Sequence, residues 1–505
     1  MDGFVKRHQG PLALLVAATV ALAARIPLLH YPRLYGDELF YALVGNEWLK
    51  GALPYTLSWD VKPPGLFGLY AATQALTGDP YLGPRLLPLL ATLAAVIGLW
   101  RIGLAWFNDA RVGLLAAFLY SLNTLSLEGA LGVTEILFAP FIIFGLLFAT
   151  STRVWAACLS GFLLGCAFVI KQVAAFEGLC ALILLVSVNR AAGRSLATRI
   201  AGFCLSGAAP GVAFALVYAA RGQFSVLWDA AVVSAFMRTH GDGVSIPAAI
   251  ELFLPRFRGV APLLVLAMFA VTERKALMSS DGKPGFVRAL GWAAASGAGA
   301  FAIRSMYEHY FLTLVAPLSL IAAALILDLA RRWNDGLRRF APLALALAAA
   351  AYPLVWVTIQ KQWPTEDRHT ATIANKLFAL GLRPNAPSPQ LYVVDHEMAL
   401  YLVAGVEPPA LYSFPQHLTC NFELPDGVDA VATIDKIMAE RPKFVVITET
   451  RHDMNCTLPA RMQQIDRYLA ADYTLVDRIP DRRAPLQIYE ARDRHASLPE
   501  PARPD

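Results

Sequence analysis

Two acids, a lysine and several aromatics crowd into a short part of this chain. Tyr35-Gly-Asp-Glu-Leu-Phe-Tyr41 follows the first apolar run, and Trp59-Asp-Val-Lys-Pro-Pro-Gly65 comes soon after. A carboxylate here, Asp37 or Glu38, can take a proton from an acceptor hydroxyl. Lys62 offers a compact ammonium, which suits a phosphate as a point charge. For the acids the alternative is simple helix capping, worth about 0.3–1 kcal/mol at a helix N-terminus.

Other residues of this kind follow. Glu135 comes after Gly132-Val-Thr134 at the start of an apolar run, with Glu128 shortly before it. Glu135 and Asp37 could form a carboxylate pair facing one cavity. Lys171 ends an apolar run, either as a phosphate ligand or as a snorkelling anchor. Arg304, Tyr307, Glu308, His309 and Tyr310 cluster between two further runs. Arg304 is a further candidate phosphate ligand, and His309 a donor to the phosphate or sugar. Arg85 opens a run as site residue or anchor, and Arg238 and His240 are weaker candidates for a gate. Ionisable groups at a membrane edge are costly and so point to function.

The elements that position these residues are membrane helices. Of 505 residues, 56% are hydrophobic and 16% charged, and mean hydropathy is +0.49. Apolar runs of roughly 18–22 residues match the hydrocarbon core of a bilayer. Spans are expected over 11–29, 82–104, 112–127, 134–150, 154–171, 173–189, 199–220, 258–273, 287–305, 309–329 and 340–359. The first is too long for a signal peptide and lacks its cleavage pattern. With Lys6 and Arg7 in the cytoplasm, the loops at Arg111, Arg153, Arg190–Arg199, Arg274–Arg288 and Arg331–Arg339 also fall there. Every cytoplasmic loop is then basic, and the C-terminal region lies outside.

The candidate site residues share the outer side. Within loop 30–81, helices are expected from Leu39 to Leu49 and from Pro63-Pro64 through Leu76. Lying along the interface, they would turn Tyr35, Phe40, Tyr41, Trp48 and Trp59 to lipid headgroups. Tyr35, Tyr41 and Trp59, with Arg85, Tyr307 and Tyr310, are also candidates to line a substrate pocket.

After Lys361 the apolar runs shorten. Gln390–Val394 and Phe444–Thr448 read as buried strands, Thr433–Ala439 and Pro459–Leu469 as helices, Leu475–Ile479 and Leu486–Tyr489 as further strands. The expected division is a helical part over 1–360 that includes loop 30–81, a small outer α/β domain over 361–490 and a disordered tail over 491–505. Cys158, Cys166, Cys180 and Cys204 read as core residues. Cys420 and Cys456 could pair in an oxidising compartment.

No Gly-rich dinucleotide fingerprint, phosphate-cradling loop or spaced Cys/His metal cluster is present in the sequence. The net charge of +5 reflects basic loops, with no nucleic-acid patch.

At these residues the chain resembles the GT-C superfamily of integral membrane glycosyltransferases. More closely it is similar to the branch holding protein O-mannosyltransferases and the aminoarabinose and galacturonosyl transferases that modify lipid A. The resemblance rests on Gly36-Asp-Glu38, Lys62-Pro-Pro-Gly65, Gly132-Val-Thr-Glu135-Ile-Leu-Phe138, Gly161 to Lys171, and Tyr307-Glu-His-Tyr-Phe311 with Pro317. It covers roughly residues 10–360.

The resemblance implies a polytopic α-helical membrane protein of about eleven transmembrane helices with a small C-terminal periplasmic α/β domain. The location implied is the bacterial inner membrane. The activity implied is transfer of a sugar from a polyprenyl-phosphate-linked donor to a glycan, lipid A or other lipid, or protein acceptor, with inversion at the anomeric carbon. Asp37 takes the place of the base or acceptor-orienting group, Glu135 that of the second outer acid, where relatives often carry Asp, and Lys62 that of the polyprenyl-phosphate contact. No cofactor beyond the lipid-linked donor is obligatory; a divalent metal is compatible but not indicated. The alternatives are a transporter or flippase for lipid-linked glycans, which would carry mid-span charges and related halves, and a surface-polysaccharide ligase or polymerase.

Overall fold

In the computed structural model, helices fill the apolar stretches and break at the polar loops. The structure describes residues 14–26, 37–237, 251, 257–279, 282–303, 307–333, 335–359, 369–384, 386, 389–395, 398–420, 424–425, 427–450, 457–480 and 485–492. Tyr35, Arg238, His240, Arg304 and Cys456 lie outside them. By contacts the chain divides into two units. One comprises Met1–Pro32, Lys62–Leu227 and Ala235–Thr365; the other comprises Arg33–Val61, Trp228–Ser234 and Glu366–Asp505.

The first unit is helical. Helices cover Leu82–Phe107, Ala110–Asn123, Thr134–Ala149, Val154–Phe168, Ala175–Ala191, Ala197–Ala220, Ala261–Thr272, Lys283–Ala302, Leu312–Arg332 and Ala341–Ile359, each within a few residues of an expected span. Among the described residues, six helices are long and apolar enough to cross a membrane: Leu82–Phe107, Ala110–Leu127, Gln172–Ala191, Ala197–Ala220, Glu308–Arg332 and Gly336–Ile359.

Local chemistry sets the boundaries. Pro64 occupies the first turn of the Pro64–Thr77 helix, where its missing N–H costs nothing. Gly78 closes that helix at φ 65°, donating to the Gln74 carbonyl. Asp109 caps the Ala110–Asn123 helix by accepting from the Arg111 N–H at 2.9 Å. Small residues let neighbouring helices close up. A Cβ at Gly161 would stand 2.0 Å from the Phe203 carbonyl oxygen, so the Val154–Phe168 and Ala197–Ala220 helices meet backbone to backbone.

The second unit carries a four-stranded sheet of order β1-β2-β4-β3, with β1 Leu391–Val393, β2 Phe444–Thr448, β3 Tyr473–Ile479 and β4 Leu486–Ala491. β1 runs parallel to β2, and β4 is antiparallel to both β2 and β3. All five residues of β2 are buried, as expected for a continuous apolar run at a sheet centre. Ile434, Ile437 and Met438 of the Ala430–Ala439 helix and Met462, Ile465 and Leu469 of the Pro459–Asp472 helix pack on Tyr392, Val445 and Ile447.

The Asp37–Leu49 helix belongs to this second unit, which corrects its reading as an interfacial helix. Phe40 and Tyr41 are each 1% exposed and Trp59 is 5% exposed, so they are buried in protein instead of facing headgroups. Phe40 meets Phe414 edge-on at 5.4 Å. The Trp59 backbone N–H donates to the Leu411 carbonyl at 2.8 Å, and the Trp59 ring lies 6.0 Å from Tyr412. Apolar surface with a protein partner has no need of lipid.

Among the cysteines, Cys420 is disulfide-bonded. Cys180 is buried as expected, whereas Cys204 is exposed on its helix.

Candidate active site

Four of the motifs converge in the first unit, and each junction has a physical cause. The first is steric. A Cβ on Gly65 would stand 2.5 Å from the Val169 carbonyl oxygen, so only glycine lets the Lys62-Pro-Pro-Gly65 turn lie against the backbone two residues before Lys171. The second is a hydrogen bond: the Tyr70 hydroxyl donates to the Gly132 carbonyl at 2.7 Å, tying the Pro64–Thr77 helix to the Gly132–Glu135 turn.

The third junction is ionic. The Lys171 ammonium donates to Glu135 Oε1, and Thr134 Oγ1 donates to Glu135 Oε2 at 2.8 Å. Both partners are buried, Glu135 to 2% and Lys171 to 4% exposure. Lys171 is therefore no snorkelling side chain. The fourth junction is aromatic: the Lys171 Nζ sits 4.0 Å from the centroid of the Tyr310 ring. The negative face of a ring attracts a cation, most strongly away from water.

His309 extends the cluster. Its Nδ1 lies 3.0 Å from Glu128 Oε2, its ring stacks parallel to Tyr307 at 5.7 Å, and it meets Tyr310 edge-on at 4.9 Å. Glu128 occupies the left-handed region at φ 62°, which costs a non-glycine residue energy. Arg25 braces this turn. Buried to 2% exposure, it donates to the Ser121 carbonyl at 3.1 Å, to Thr124 Oγ1 at 2.7 Å and to the Gly129 carbonyl at 3.2 Å. Sequence reading passed over Arg25. Its signal was an arginine closing an apolar run, where removing charge from water requires a paired or functional role.

Burying a charge pair costs more in lost hydration than a surface pair does, and weak geometry does not recover it. Here every described member has partners: Glu135 with Lys171 and Thr134, Lys171 with Glu135 and Tyr310, His309 with Glu128. Such a cluster can hold an ammonium ready for an incoming anion, with the carboxylate yielding its place. Lys62 is half-buried and Arg85 is buried to 3% exposure, both within this unit.

The remaining candidates lie in the second unit. Asp37 is half-buried and accepts from the Tyr41 hydroxyl at 3.0 Å. Glu38 is fully buried. A further acid went unnoticed in the sequence. Glu47 is 6% exposed and accepts from Ser58 Oγ at 2.7 Å, and Ser413 Oγ lies 3.2 Å from Ser58 Oγ. Burial pushes the Glu47 carboxyl up to about 7, against the opposing hydrogen bond from Ser58. Among the described residues, no group of three or more His, Cys, Asp or Glu is placed to hold a metal ion.

Comparison with known proteins gives this geometry a setting. Residues 61–218 match the family described as dolichyl-phosphate-mannose-protein mannosyltransferase. That range contains Lys62, Arg85, Glu135 and Lys171. Among curated proteins, none matches the sequence significantly. Among solved structures, ArnT from Cupriavidus metallidurans in the apo state is 17% identical, with 96% of this chain and 98% of that one covered and a TM-score of 0.64. The same protein bound to undecaprenyl phosphate is 16% identical, with 94% and 97% covered and a TM-score of 0.63. The oligosaccharyltransferase AglB from Archaeoglobus fulgidus, in complex with an inhibitory peptide and a dolichol-phosphate, is 14% identical, with 98% and 75% covered and a TM-score of 0.56.

The chain shares its fold with ArnT and AglB, and over residues 61–218 its sequence matches the mannosyltransferase family. The fold and the family match are those of membrane glycosyltransferases.

Proposed function

We propose that this protein transfers a sugar from a polyprenyl-phosphate-linked donor to a glycan, lipid or protein acceptor on the outer side of a bacterial inner membrane. The observation that carries the proposal is the buried Glu135–Lys171 pair under the Tyr310 ring, reached by four motifs that the chain draws together. An ammonium held in low dielectric by a displaceable carboxylate suits a phosphate that gains charge as it leaves.

In the reaction the acceptor oxygen bonds to the anomeric carbon from the face opposite the phosphate. The bond between that carbon and the phosphate oxygen breaks, and polyprenyl phosphate departs with the electron pair. Lys171 and Lys62, with Arg304, neutralise the leaving phosphate. Stabilisation of developing charge by fixed groups is commonly the largest catalytic contribution. His309 donates to the phosphate or sugar, and Glu135 returns to Lys171 once the site empties. Asp37 takes the acceptor proton, with Glu38 the second acid of that motif. Arg85, Tyr307 and Tyr310, all of the first unit, contribute to the substrate pocket. The proposed topology is eleven spans, with the N-terminus cytoplasmic and the 361–490 domain periplasmic.

The test is to incubate purified protein in liposomes with a panel of extracted polyprenyl-phosphate sugars and to follow release of polyprenyl phosphate. One donor should be consumed by the wild type and spared by Lys171→Met. Equal consumption by both would remove Lys171 from the reaction.

A further inference from the structure

A second feature of the first unit lies apart from the buried cluster. Between the Ala175–Ala191 and Lys283–Ala302 helices runs a cleft of about 690 Å³. Phe176, Leu179 and Ile183 line one wall, and Val287, Gly291 and Ala298 the other. The helices touch at one end, where Ser296 Oγ donates to Glu177 Oε1 at 2.8 Å and a Cβ on Gly299 would meet Phe176 and Val173 at 3.4 Å. Toward the other end Ser187 faces the start of the second helix across the cleft.

Leu179, Ile183 and Val287 are 58%, 60% and 48% exposed, so the cleft opens sideways. A Cβ on Gly291 would meet nothing within 4 Å; the missing side chain leaves that space open. From Phe176 to Ser187 the helical rise gives about 16 Å, close to half of the roughly 30 Å hydrocarbon core. The cleft thus has the depth of one leaflet.

Its charge is one-sided. Among the described residues lining it, the charged ones are Lys283 and Arg288, both cationic and both at the same end. Lys283 is also the first residue of its helix, where the helix dipole adds positive potential. Arg274 and Lys275 precede it in the same basic loop.

We propose that this cleft holds an acyl chain of an anionic phospholipid, with the lipid phosphate at Lys283 and Arg288. Charge complementarity selects this occupant. A donor polyprenyl chain entering from the Lys171 side would bring its phosphate to the opposite end and leave these two cations facing hydrocarbon. The site is independent of sugar transfer.

The test uses the full chain in nanodiscs of mixed phosphatidylglycerol and phosphatidylcholine, extracted in mild detergent and analysed by native mass spectrometry. The wild type is expected to retain phosphatidylglycerol in preference to phosphatidylcholine. The double variant Lys283→Gln, Arg288→Gln should lose that preference by roughly tenfold or more. Gly291→Leu should fill the cleft and release lipid of either headgroup. If Gly291→Leu melts early, the double variant at the helix end decides alone. Retention of no lipid by the wild type, equal retention of both headgroups, a retained polyprenyl lipid, or a double variant with wild-type preference would each overturn the proposal.

Discussion

The Lys171 ammonium lies 4.0 Å from the centre of the Tyr310 ring while it pairs with Glu135. A buried cation thus has an anion on one side and a π face on another. Removing the anion leaves an uncompensated charge, at a cost of about 3–5 kcal/mol. Glu135→Gln should therefore lower the thermal stability of the detergent-solubilised protein markedly. Lys171→Met should do the same, and Glu135→Gln with Lys171→Met should be less destabilised than the two single effects added together. Strict additivity in a double-mutant cycle would mean that the pair is uncoupled.

Tyr310 separates ring from hydroxyl. Tyr310→Phe keeps the π face and should leave stability and donor turnover near wild type. Tyr310→Leu should lose about 2 kcal/mol, the scale of a desolvated cation–π contact. Circular dichroism melts of the two variants check this, and similar losses in both would point to the hydroxyl instead.

Gly65 gives a steric prediction. With a Cβ placed 2.5 Å from the Val169 carbonyl oxygen, Gly65→Ala must push the Lys62 turn away from the backbone that carries Lys171. The expected penalty is about 1–3 kcal/mol, as for an overpacked core, together with reduced turnover. Gly78→Ala is the control. Its Cβ would meet nothing within 4 Å, so it should show only the smaller cost of its left-handed φ.

Glu47 predicts a pH dependence. Its folded-state value is raised from 4.5 to about 7 by burial, with Ser58 and Lys50 opposing and Glu407 adding to the shift. A native state that holds its proton more tightly than the unfolded chain is favoured at low pH. The contribution is fully present below about 4.5 and is lost as pH rises toward 7. Glu47→Gln should flatten that slope in pH-dependent melts of the full-length protein. An unchanged slope would assign the titration to another group.

Much of the helical frame was legible in residue order, because apolar runs and prolines act locally. Pro63-Pro64 announced a helix that begins at Pro64, and the Phe444–Thr448 run announced a buried strand. The pairings were harder, since they join residues far apart in the chain. His309 and Glu128 are separated by 181 positions, and Phe40 finds Phe414 from the far end of the sequence. No period of 3.6 or 2 encodes such partners. The same gap explains why Phe40, Tyr41 and Trp59 read as a lipid-facing belt: an aromatic cluster looks alike whether membrane or protein covers it. Glu47 was hidden for a related reason. Nothing in its sequence neighbours marks it as buried; Ser58 and the burial around it do.

The most direct measurement is release of polyprenyl phosphate from a defined polyprenyl-phosphate sugar by the reconstituted wild type, Lys171→Met and Asp37→Asn proteins, each first shown to be folded. The account predicts release by the wild type and a loss of about a hundredfold or more in both variants. Release at the wild-type rate by either folded variant would contradict the role given to that residue, and no release from any donor tested would contradict sugar transfer itself.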